Sequence, residues 1–413
     1  FSATGPDNGD AGNENAEGII RLERFVREEL KRDIFFNTTV GTWASPFWFH
    51  YTDAVWRQEN DYGTIGNNTI DRENWITYRD RLVYQNFVKN SPICPINTLM
   101  THGFILSSFG AVSKNMDYEA CRREMRCAFA CGSGMVELYN DYALMNSIQH
   151  GQLWADLAEC IKWQKANADV LPDAHWVGGN PWTGSKAEIY GWAAWNGEKA
   201  TFTLRNGSND AQTIKLTLRK ALEIPASVNT SIVLTKAFLD QVALSGLTEG
   251  QPINIDTELT LTLPASSVYV FNGRDVKTAE VKVSSITTNS DTYTVLRGET
   301  CGVQTTLAPV NVTNSMLEWT SSNADVATVY NGLIRGLKAG ECNITITAND
   351  GSGITKTVKV IVNEKPEEPY KTNFDKKAKA TGTDRKITKI TFKAGTGAVS
   401  YTHLRAHETE ADL

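Results

Sequence analysis

The chain has 413 residues, a formal net charge of −6 and 11 tryptophans. Its length exceeds that of a typical single domain, so we expect two to four domains. The acidic balance and the lack of a basic stripe argue against nucleic acid as a partner, and no apolar run is long enough to predict a membrane span. The tryptophan count favours an aromatic-lined site, such as one that binds a glycan.

The seven cysteines contain no C-x-x-C pair, so the sequence predicts no zinc site and we expect no metal. Cys121, Cys127 and Cys131 are expected to pack as small apolar residues. Cys301 and Cys342 fall within one predicted module, and the sequence alone leaves open whether they form a disulfide. No motif in the sequence indicates a cofactor.

Helices and short strands alternate along residues 16–168. Residues 16–32 have apolar side chains at helical spacing with charges between them, which is typical of an amphipathic helix. Further helices are predicted at residues 72–90, 118–130 and 153–168, and strands at 34–36, 92–100 and 135–139. This alternation predicts βα units on a parallel sheet, amounting to about half of a (β/α)₈ barrel within residues 1–183.

The segment 34–61 combines aromatic and charged residues at an unusual density. Its apolar start, residues 34–36, predicts a buried strand, and the Thr, Gly, Ser and Pro that follow predict a loop. In this loop Trp43 and Trp56 lie close in sequence to Arg57, Glu59 and Asp61. Aromatic faces stack on a sugar while polar groups bind its hydroxyls, so the pattern favours a carbohydrate site. The alternative is a hydrophobic plug under an irregular loop.

From residue 188 the hydrophobic period changes to two. Strand-like segments with Asn-Gly turns at residues 196–197 and 206–207 predict an antiparallel β-sandwich over residues 184–275. A second all-β module is predicted at residues 280–363.

The C-terminal end of the chain has three further parts. They are a stiff charged linker at residues 364–371, the start of a further, truncated β module at 372–397, and a patternless segment at 398–413. The last segment is interpreted as a translated sequencing adapter, so His403 and His407 are set aside as metal ligands despite their spacing of four residues.

The second all-β module carries the segments 317–329, 331–340 and 343–347. These segments closely resemble the group 2 bacterial immunoglobulin-like domain, whose pattern is W-x-S-S…V-A-x-V…G-x-I…A-G…I-T-I. The resemblance implies an immunoglobulin-like β-sandwich in a secreted or surface-exposed bacterial protein. Such domains are spacers or adhesive modules that can contact a cell surface or a glycan. We therefore expect the module to fold independently and to contribute nothing to a catalytic pocket.

Residues 16–275 carry a second resemblance. Its motifs are the strand end Phe36-Asn-Thr-Thr, the segment Trp56-Arg-Gln-Glu-Asn-Asp61 and the stretch Pro95-Ile-Asn-Thr-Leu-Met-Thr-His102. Followed by the sandwich, they resemble the C-terminal half of an α-galactosidase-type glycoside hydrolase of clan D, closest to family 36. That family combines a (β/α)₈ barrel, a C-terminal β-sandwich and a retaining mechanism with two aspartates. Its S-D-D acid motif is replaced here by Glu59-Asn60-Asp61.

The resemblance implies that Asp61, or Glu59 in its place, is the catalytic acid/base. Asp61 is preferred because the Tyr62-Gly63 that follows would fold it back into the site. Nearby aromatic rings would raise the pKa of such a proton donor by desolvation. The candidates for substrate binding are Asn37, Trp43, Trp56, Arg57 and His102. A loop cap for Asn37 and a backbone-bonded structural role for His102 are the alternatives.

These features predict a secreted, retaining exo-α-glycosidase that acts on α-galactoside or α-N-acetylgalactosaminide glycans. The alternative is a non-catalytic carbohydrate-binding or adhesive cell-surface protein, which needs no carboxylate opposite Asp61. In the family the nucleophilic aspartate follows the fourth barrel strand, a position that falls before Phe1. We therefore expect this chain to be a fragment that does not turn over substrate by itself.

Overall fold

The computed structural model describes residues 9–39, 46–89, 94–107 and 116–366. Within these residues the first part of the chain forms a parallel sheet in the order β1–β2–β3–β4. The strands are β1 (Asn37–Thr38), β2 (Ala54–Trp56), β3 (Leu99–Leu106) and β4 (Met135–Asn140). All three neighbouring pairs are parallel, so the carboxyl ends of the strands meet at one edge, as in half of a (β/α)₈ barrel.

Helices alternate with these strands. They are α1 (Gly9–Arg24), α2 (Asp71–Val83), α3 (Tyr118–Ala130), α4 (Tyr142–Ser147) and α5 (Gln152–Ala166). The start of α3 follows from its sequence, because the Asp117 side chain caps the helix by accepting a hydrogen bond from the Ala120 amide. None of the helices in the described part of the chain is long and apolar enough to cross a membrane.

Two predicted strand positions are wrong. The strand expected at residues 34–36 begins only at Asn37, and the Ile34 and Phe35 side chains are exposed. Residues 92–93 of the strand expected at 92–100 lie outside the described residues. In the described part the strand begins at Leu99, because Pro95 lacks an N–H donor and leads into a 3₁₀ turn over Ile96–Thr98. This strand continues to Leu106, so His102 lies inside it rather than after it.

Strand β2 was not predicted from the sequence. Trp56 was expected in a loop, but it ends a buried strand that pairs with β1 on one side and β3 on the other. Three residues, Ala-Val-Trp, are too few to show an alternating pattern. The buried backbone of Trp56 therefore belongs to the sheet, and the polar loop begins at the next residue.

The sandwich follows α5 and contains two antiparallel sheets. The larger has the order β10–β9–β12–β7–β6–β5, and the smaller pairs β11 with β8. Their strands are β5 (His175–Gly178), β6 (Tyr190–Trp195), β7 (Lys199–Asn206), β8 (Gln212–Thr217), β9 (Ser231–Lys236), β10 (Pro252–Asn254), β11 (Glu258–Leu263) and β12 (Ser267–Asp275). Strand β5 pairs with β6, although it precedes the boundary expected at residue 184.

The sandwich supports the parallel sheet through buried polar contacts. The Tyr190 hydroxyl on β6 donates to Asp80 Oδ2 at 2.6 Å, and Asp80 Oδ1 accepts a hydrogen bond from Arg79 Nε at 3.0 Å. Arg79 Nη1 reaches the carbonyl oxygens of His102 and Gly103 at 3.5 and 3.4 Å. Helix α2 thus connects the sandwich to β3 at the position of His102.

The immunoglobulin-like module contains the last nine described strands. They are β13 (Ser285–Thr288), β14 (Thr292–Leu296), β15 (Thr300–Gly302), β16 (Thr305–Ala308), β17 (Leu317–Ser321), β18 (Ala327–Tyr330), β19 (Leu333–Gly336), β20 (Gly340–Ala348) and β21 (Thr355–Asn363). They form the sheets β13–β16, β14–β21–β20–β17 and β15–β19–β18. Cys301 and Cys342 are both free thiols, so the disulfide left open above does not form.

The β18–β19 hairpin contacts the helices of the half-barrel. Its turn, Asn331-Gly332, has φ values of 44° and 85°, which suit an Asn-Gly hairpin turn. The Tyr330 hydroxyl donates to Asp156 Oδ1 on α5 at 2.7 Å, and Asn331 Nδ2 donates to Glu159 Oε2 at 3.2 Å. The module therefore contacts the preceding part of the chain through specific hydrogen bonds.

The expected linker is described only as far as Pro366. The remainder of that linker, the β module expected at residues 372–397 and the adapter expected at 398–413 lie outside the described residues.

Candidate functional site

The loop after β2 is held by the buried side chain of Arg57. Its guanidinium donates to the carbonyl oxygens of Gln58 at 2.9 Å, Asn60 at 2.8 Å and Asp61 at 3.1 Å. Gln58 and Glu59 have φ values of 74° and 71°, a left-handed turn that folds the loop around the guanidinium. Both terminal nitrogens of Arg57 are thus engaged by the loop backbone, rather than presented to a substrate as expected.

Three polar side chains from successive βα units converge beside this loop. His102 Nε2 on β3 lies 3.8 Å from Asp61 Oδ1 and 3.4 Å from Glu137 Oε2 on β4. His102 and Glu137 are paired in the sheet register, which places both side chains on the same face. The two carboxylate oxygens are therefore separated by no more than about 7 Å, the sum of these two distances.

The imidazole between the two carboxylates is neutral at pH 7. Burial lowers the pKa of His102 to about 4, and the positive charge of Arg57 adds to this effect against the opposing attraction of Asp61. A neutral ring has one N–H donor and one acceptor nitrogen. His102 can therefore donate a hydrogen bond at one side and accept one at the other.

Two aromatic rings enclose His102. Tyr139 stacks on the imidazole with ring centres 5.7 Å apart, and Trp56 meets its edge at 6.1 Å. Burial and a hydrogen bond to Glu137 raise the pKa of Tyr139 to about 12, so its hydroxyl stays protonated at neutral pH. The site thus combines two carboxylates with flat apolar surfaces.

Three buried polar atoms on the first three strands have no hydrogen-bond partner within the described ranges. They are Asn37 Oδ1, Trp56 Nε1 and His102 Nδ1. The sheet register sets Asn37 level with Ala54 at the amino end of β2, whereas Trp56 ends β2 and His102 lies beyond that level on β3. Buried polar atoms are nearly always paired, so the unpaired nitrogens of Trp56 and His102 are suited to bind a polar ligand.

The structure brings together only some of the expected site residues. Asp61, Trp56 and His102 meet at the edge of the sheet, whereas the Glu59 side chain projects into solvent from the left-handed turn. Trp43 lies outside the described residues. The Asp61 side chain is itself 63% exposed, so the desolvation expected around the proton donor is slight.

Glu137 was missed by the sequence analysis. The sequence did contain one indication of it: Glu137 is a carboxylate in the middle of the apolar strand predicted at residues 135–139, and charged residues are rare in strands of the core. Within the described ranges, no group of three His, Cys, Asp or Glu side chains could hold a metal ion.

Comparison with known families identifies the C-terminal module. Residues 282–360 match the family model of the Bacterial Ig-like domain (group 2). This match confirms the resemblance seen in the sequence, and the strands β13 to β21 are the strands of that domain.

Two known proteins match short parts of the chain. An uncharacterised protein of Clostridium acetobutylicum is 37% identical over 87 residues, which are 20% of this chain and 22% of that protein. The 3-O-alpha-D-galactosyl-alpha-L-arabinofuranosidase of Bifidobacterium longum is 38% identical over 72 residues, 17% of this chain and 6% of the enzyme. The chain thus spans less than a quarter of the length of either relative.

Solved structures similar to this chain include α-amylases and α-galactosidases. The α-amylase of Geobacillus thermoleovorans gives a TM-score of 0.41 at 11% identity, over 63% of this chain and 57% of the amylase. The α-galactosidase of Saccharomyces cerevisiae gives a TM-score of 0.35 at 11% identity, over 60% of this chain and 65% of the enzyme.

Proposed function

We propose that the half-barrel is part of a secreted α-glycosidase for α-galactoside or α-N-acetylgalactosaminide glycans. The observation that carries this proposal is the convergence of Asp61, His102 and Glu137 at the carboxyl edge of a parallel sheet, beside Trp56 and Tyr139. Active sites of barrel enzymes lie at this edge. The resemblance of the motifs around Trp56 and His102 to clan D hydrolases supplies the choice of sugar.

In this proposal Asp61 is the proton donor to the leaving oxygen. Its backbone position is fixed by Arg57, while its carboxylate faces the open side of the edge where a leaving group would lie. A retaining mechanism requires a second carboxylate on the other side of the sugar to attack the anomeric carbon. A glycan bound over Asp61 would also exclude water from its carboxyl group.

Glu137 and His102 have binding roles in this proposal. The Glu137 carboxylate accepts hydrogen bonds from sugar hydroxyls, and the neutral His102 offers one donor and one acceptor nitrogen to the same ring. Trp56 and Tyr139 supply apolar surface next to these groups. The immunoglobulin-like module supports extracellular action, since the family occurs in surface-exposed bacterial proteins.

The proposal is tested by binding and turnover together. The full chain is titrated with methyl α-galactoside and methyl α-N-acetylgalactosaminide, and Glu137→Gln is expected to weaken binding about tenfold, because one charged acceptor oxygen is replaced by an NH₂ donor. Glu258→Gln, a substitution of an exposed glutamate on β11, is the matched control.

Turnover separates the role of Asp61 from that of the binding groups. In any preparation that hydrolyses these glycosides, Asp61→Asn is expected to slow substrates with poor leaving groups by orders of magnitude and activated aryl glycosides far less. Equal loss on both substrate types would exclude Asp61 as the proton donor.

The second candidate function is non-catalytic carbohydrate binding at the cell surface. The exposure of the Asp61 side chain favours it, since a general acid is ordinarily held in apolar surroundings. Glycoside binding that depends on Glu137 and His102, with no measurable hydrolysis of the bound glycoside, would support this function.

A further inference from the structure

A second concavity lies away from the edge of the parallel sheet. Its volume is about 410 Å³, which is within the range of small-molecule sites. Its walls come from the end of α5, the sandwich strands β7, β9 and β12, the connection at residues 278–281, and the loop at residues 311–315 of the immunoglobulin-like module. Several amide and hydroxyl side chains belong to its lining, among them Asn167, Thr235, Asn272, Thr278, Asn311 and Thr313.

Two amides in this cavity have orientations fixed by chemistry. Trp163 Nε1 is 2.8 Å from the Asn272 side chain, and because an indole nitrogen can only donate, the atom that it meets must be Oδ1. Asn167 Nδ2 donates to the Trp163 carbonyl oxygen at 2.9 Å and to Asn272 Oδ1 at 3.4 Å. These bonds leave Asn167 Oδ1 as an acceptor and Asn272 Nδ2 as a donor for another molecule.

This pair of groups is rigid as well as oriented. Asn167 is 5% exposed, and Asn272 lies within β12, paired with both β7 and β9. An acceptor oxygen beside a donor NH₂ matches the two roles of an alcohol, which donates through its hydrogen and accepts through its oxygen. Neighbouring hydroxyls of one sugar ring can satisfy both amides at once.

The charges around the cavity exclude an anionic ligand. Lys199 Nζ is held by Asp169 Oδ1 at 2.7 Å and by the Ala166 carbonyl oxygen at 2.8 Å. Arg274 Nη1 donates to the Thr278 carbonyl oxygen at 2.6 Å. Carboxylates of Asp169, Glu198 and Glu280 outnumber these two cations in the lining. A phosphate or a carboxylate would meet net negative charge.

We infer that this cavity binds a small neutral saccharide, with Asn167 and Asn272 as its principal hydroxyl contacts. The site is separate from the Asp61 site and does not rest on the proposed function. Because its walls include the sandwich, the connecting segment and the immunoglobulin-like module, a bound sugar would contact all three. Binding would therefore stabilise the module against detachment from the sandwich.

The inference is tested by titrating the full chain with galactose, N-acetylgalactosamine, glucose and inorganic phosphate. Binding is measured by tryptophan fluorescence and by calorimetry. Asn272→Asp keeps the acceptor for Trp163 but replaces the free donor, so we expect sugar binding to weaken about tenfold. Ala279→Trp, at an exposed position in the lining, is expected to abolish binding by filling the cavity. Val276→Trp, exposed but outside the lining, is the matched control and should bind normally.

The outcomes separate this site from the Asp61 site. Sugar binding that is lost in Ala279→Trp and retained in Asp61→Asn and Val276→Trp supports the inference. No binding of any sugar at millimolar concentration, preferential binding of phosphate, or binding that Asp61→Asn removes and Ala279→Trp leaves intact would overturn it.

Discussion

Removal of the Tyr330 hydroxyl is expected to release the immunoglobulin-like module from the helices of the half-barrel. This hydroxyl donates to Asp156 Oδ1 at 2.7 Å, and Asp156 is 4% exposed. A hydrogen bond to a charged acceptor contributes about 1.5–3 kcal/mol, because the carboxylate is left poorly solvated without it. Tyr330→Phe should therefore shift the equilibrium towards the detached module by about 10- to 100-fold.

Amide hydrogen exchange over α5 and over the β18–β19 hairpin measures this release. Both segments should lose protection together in Tyr330→Phe, whereas strands β20 and β21 in the interior of the module should keep theirs. Tyr293→Phe is the matched control, since its hydroxyl donates to Asn289 Oδ1 at 2.6 Å inside the module. If α5 stays as protected in Tyr330→Phe as in Tyr293→Phe, the hairpin contact does not hold the module in place.

Three further predictions concern the loop and the pH dependence. Arg57→Lys keeps the charge but removes the forked guanidinium contacts, so amide hydrogen exchange at residues 58–61 should rise about tenfold or more. The control is Arg297→Lys, in an exposed ion pair, which should leave exchange in that loop unchanged. Unchanged exchange in Arg57→Lys would mean that other contacts fix the loop. Burial raises the pKa of Glu159 to about 7, so the folded state favours its protonated form, and stability is lost as pH rises from about 4.5 through 7. Urea unfolding at several pH values should show a smaller loss in Glu159→Gln than in the parent chain, because Glu23, whose pKa burial also raises to about 7, still contributes. A loss of equal size in both would assign it to groups other than Glu159. His102 changes stability in the opposite pH direction. Its lowered pKa means that the folded state loses stability as pH falls from about 6.5 towards 4, and His102→Gln should remove that part of the acid destabilisation. Acid destabilisation that is unchanged in His102→Gln would contradict the buried neutral imidazole.

The sequence predicts an element well where local chemistry marks its start and its apolar residues repeat at a regular spacing. Helix α3 was expected at residues 118–130 and is found there, because Asp117 caps its start and its apolar face repeats at helical spacing. Strand β2 could not be predicted from the sequence, because three residues are too few to show a hydrophobic period and its pairing partners are distant in sequence.

The site could be predicted only in part for a similar reason. Asp61 and His102 stand out in the sequence as polar residues next to strand-like runs. The role of Glu137 depends on the pairing of His102 with Glu137 across two strands, which the sequence does not specify. Likewise, the sequence does not specify the left-handed turn at Gln58 and Glu59, which folds the loop carbonyls around Arg57.

The most direct test of the central claim is a crystal structure of the full chain soaked with methyl α-galactoside or methyl α-N-acetylgalactosaminide. We expect a sugar ring at the carboxyl edge of the parallel sheet, with its hydroxyls within hydrogen-bond distance of Glu137 and His102, and its glycosidic oxygen facing Asp61. A sugar bound at saturating concentration only elsewhere on the chain, or no sugar at this edge, would contradict the assignment of these three residues to a glycoside site.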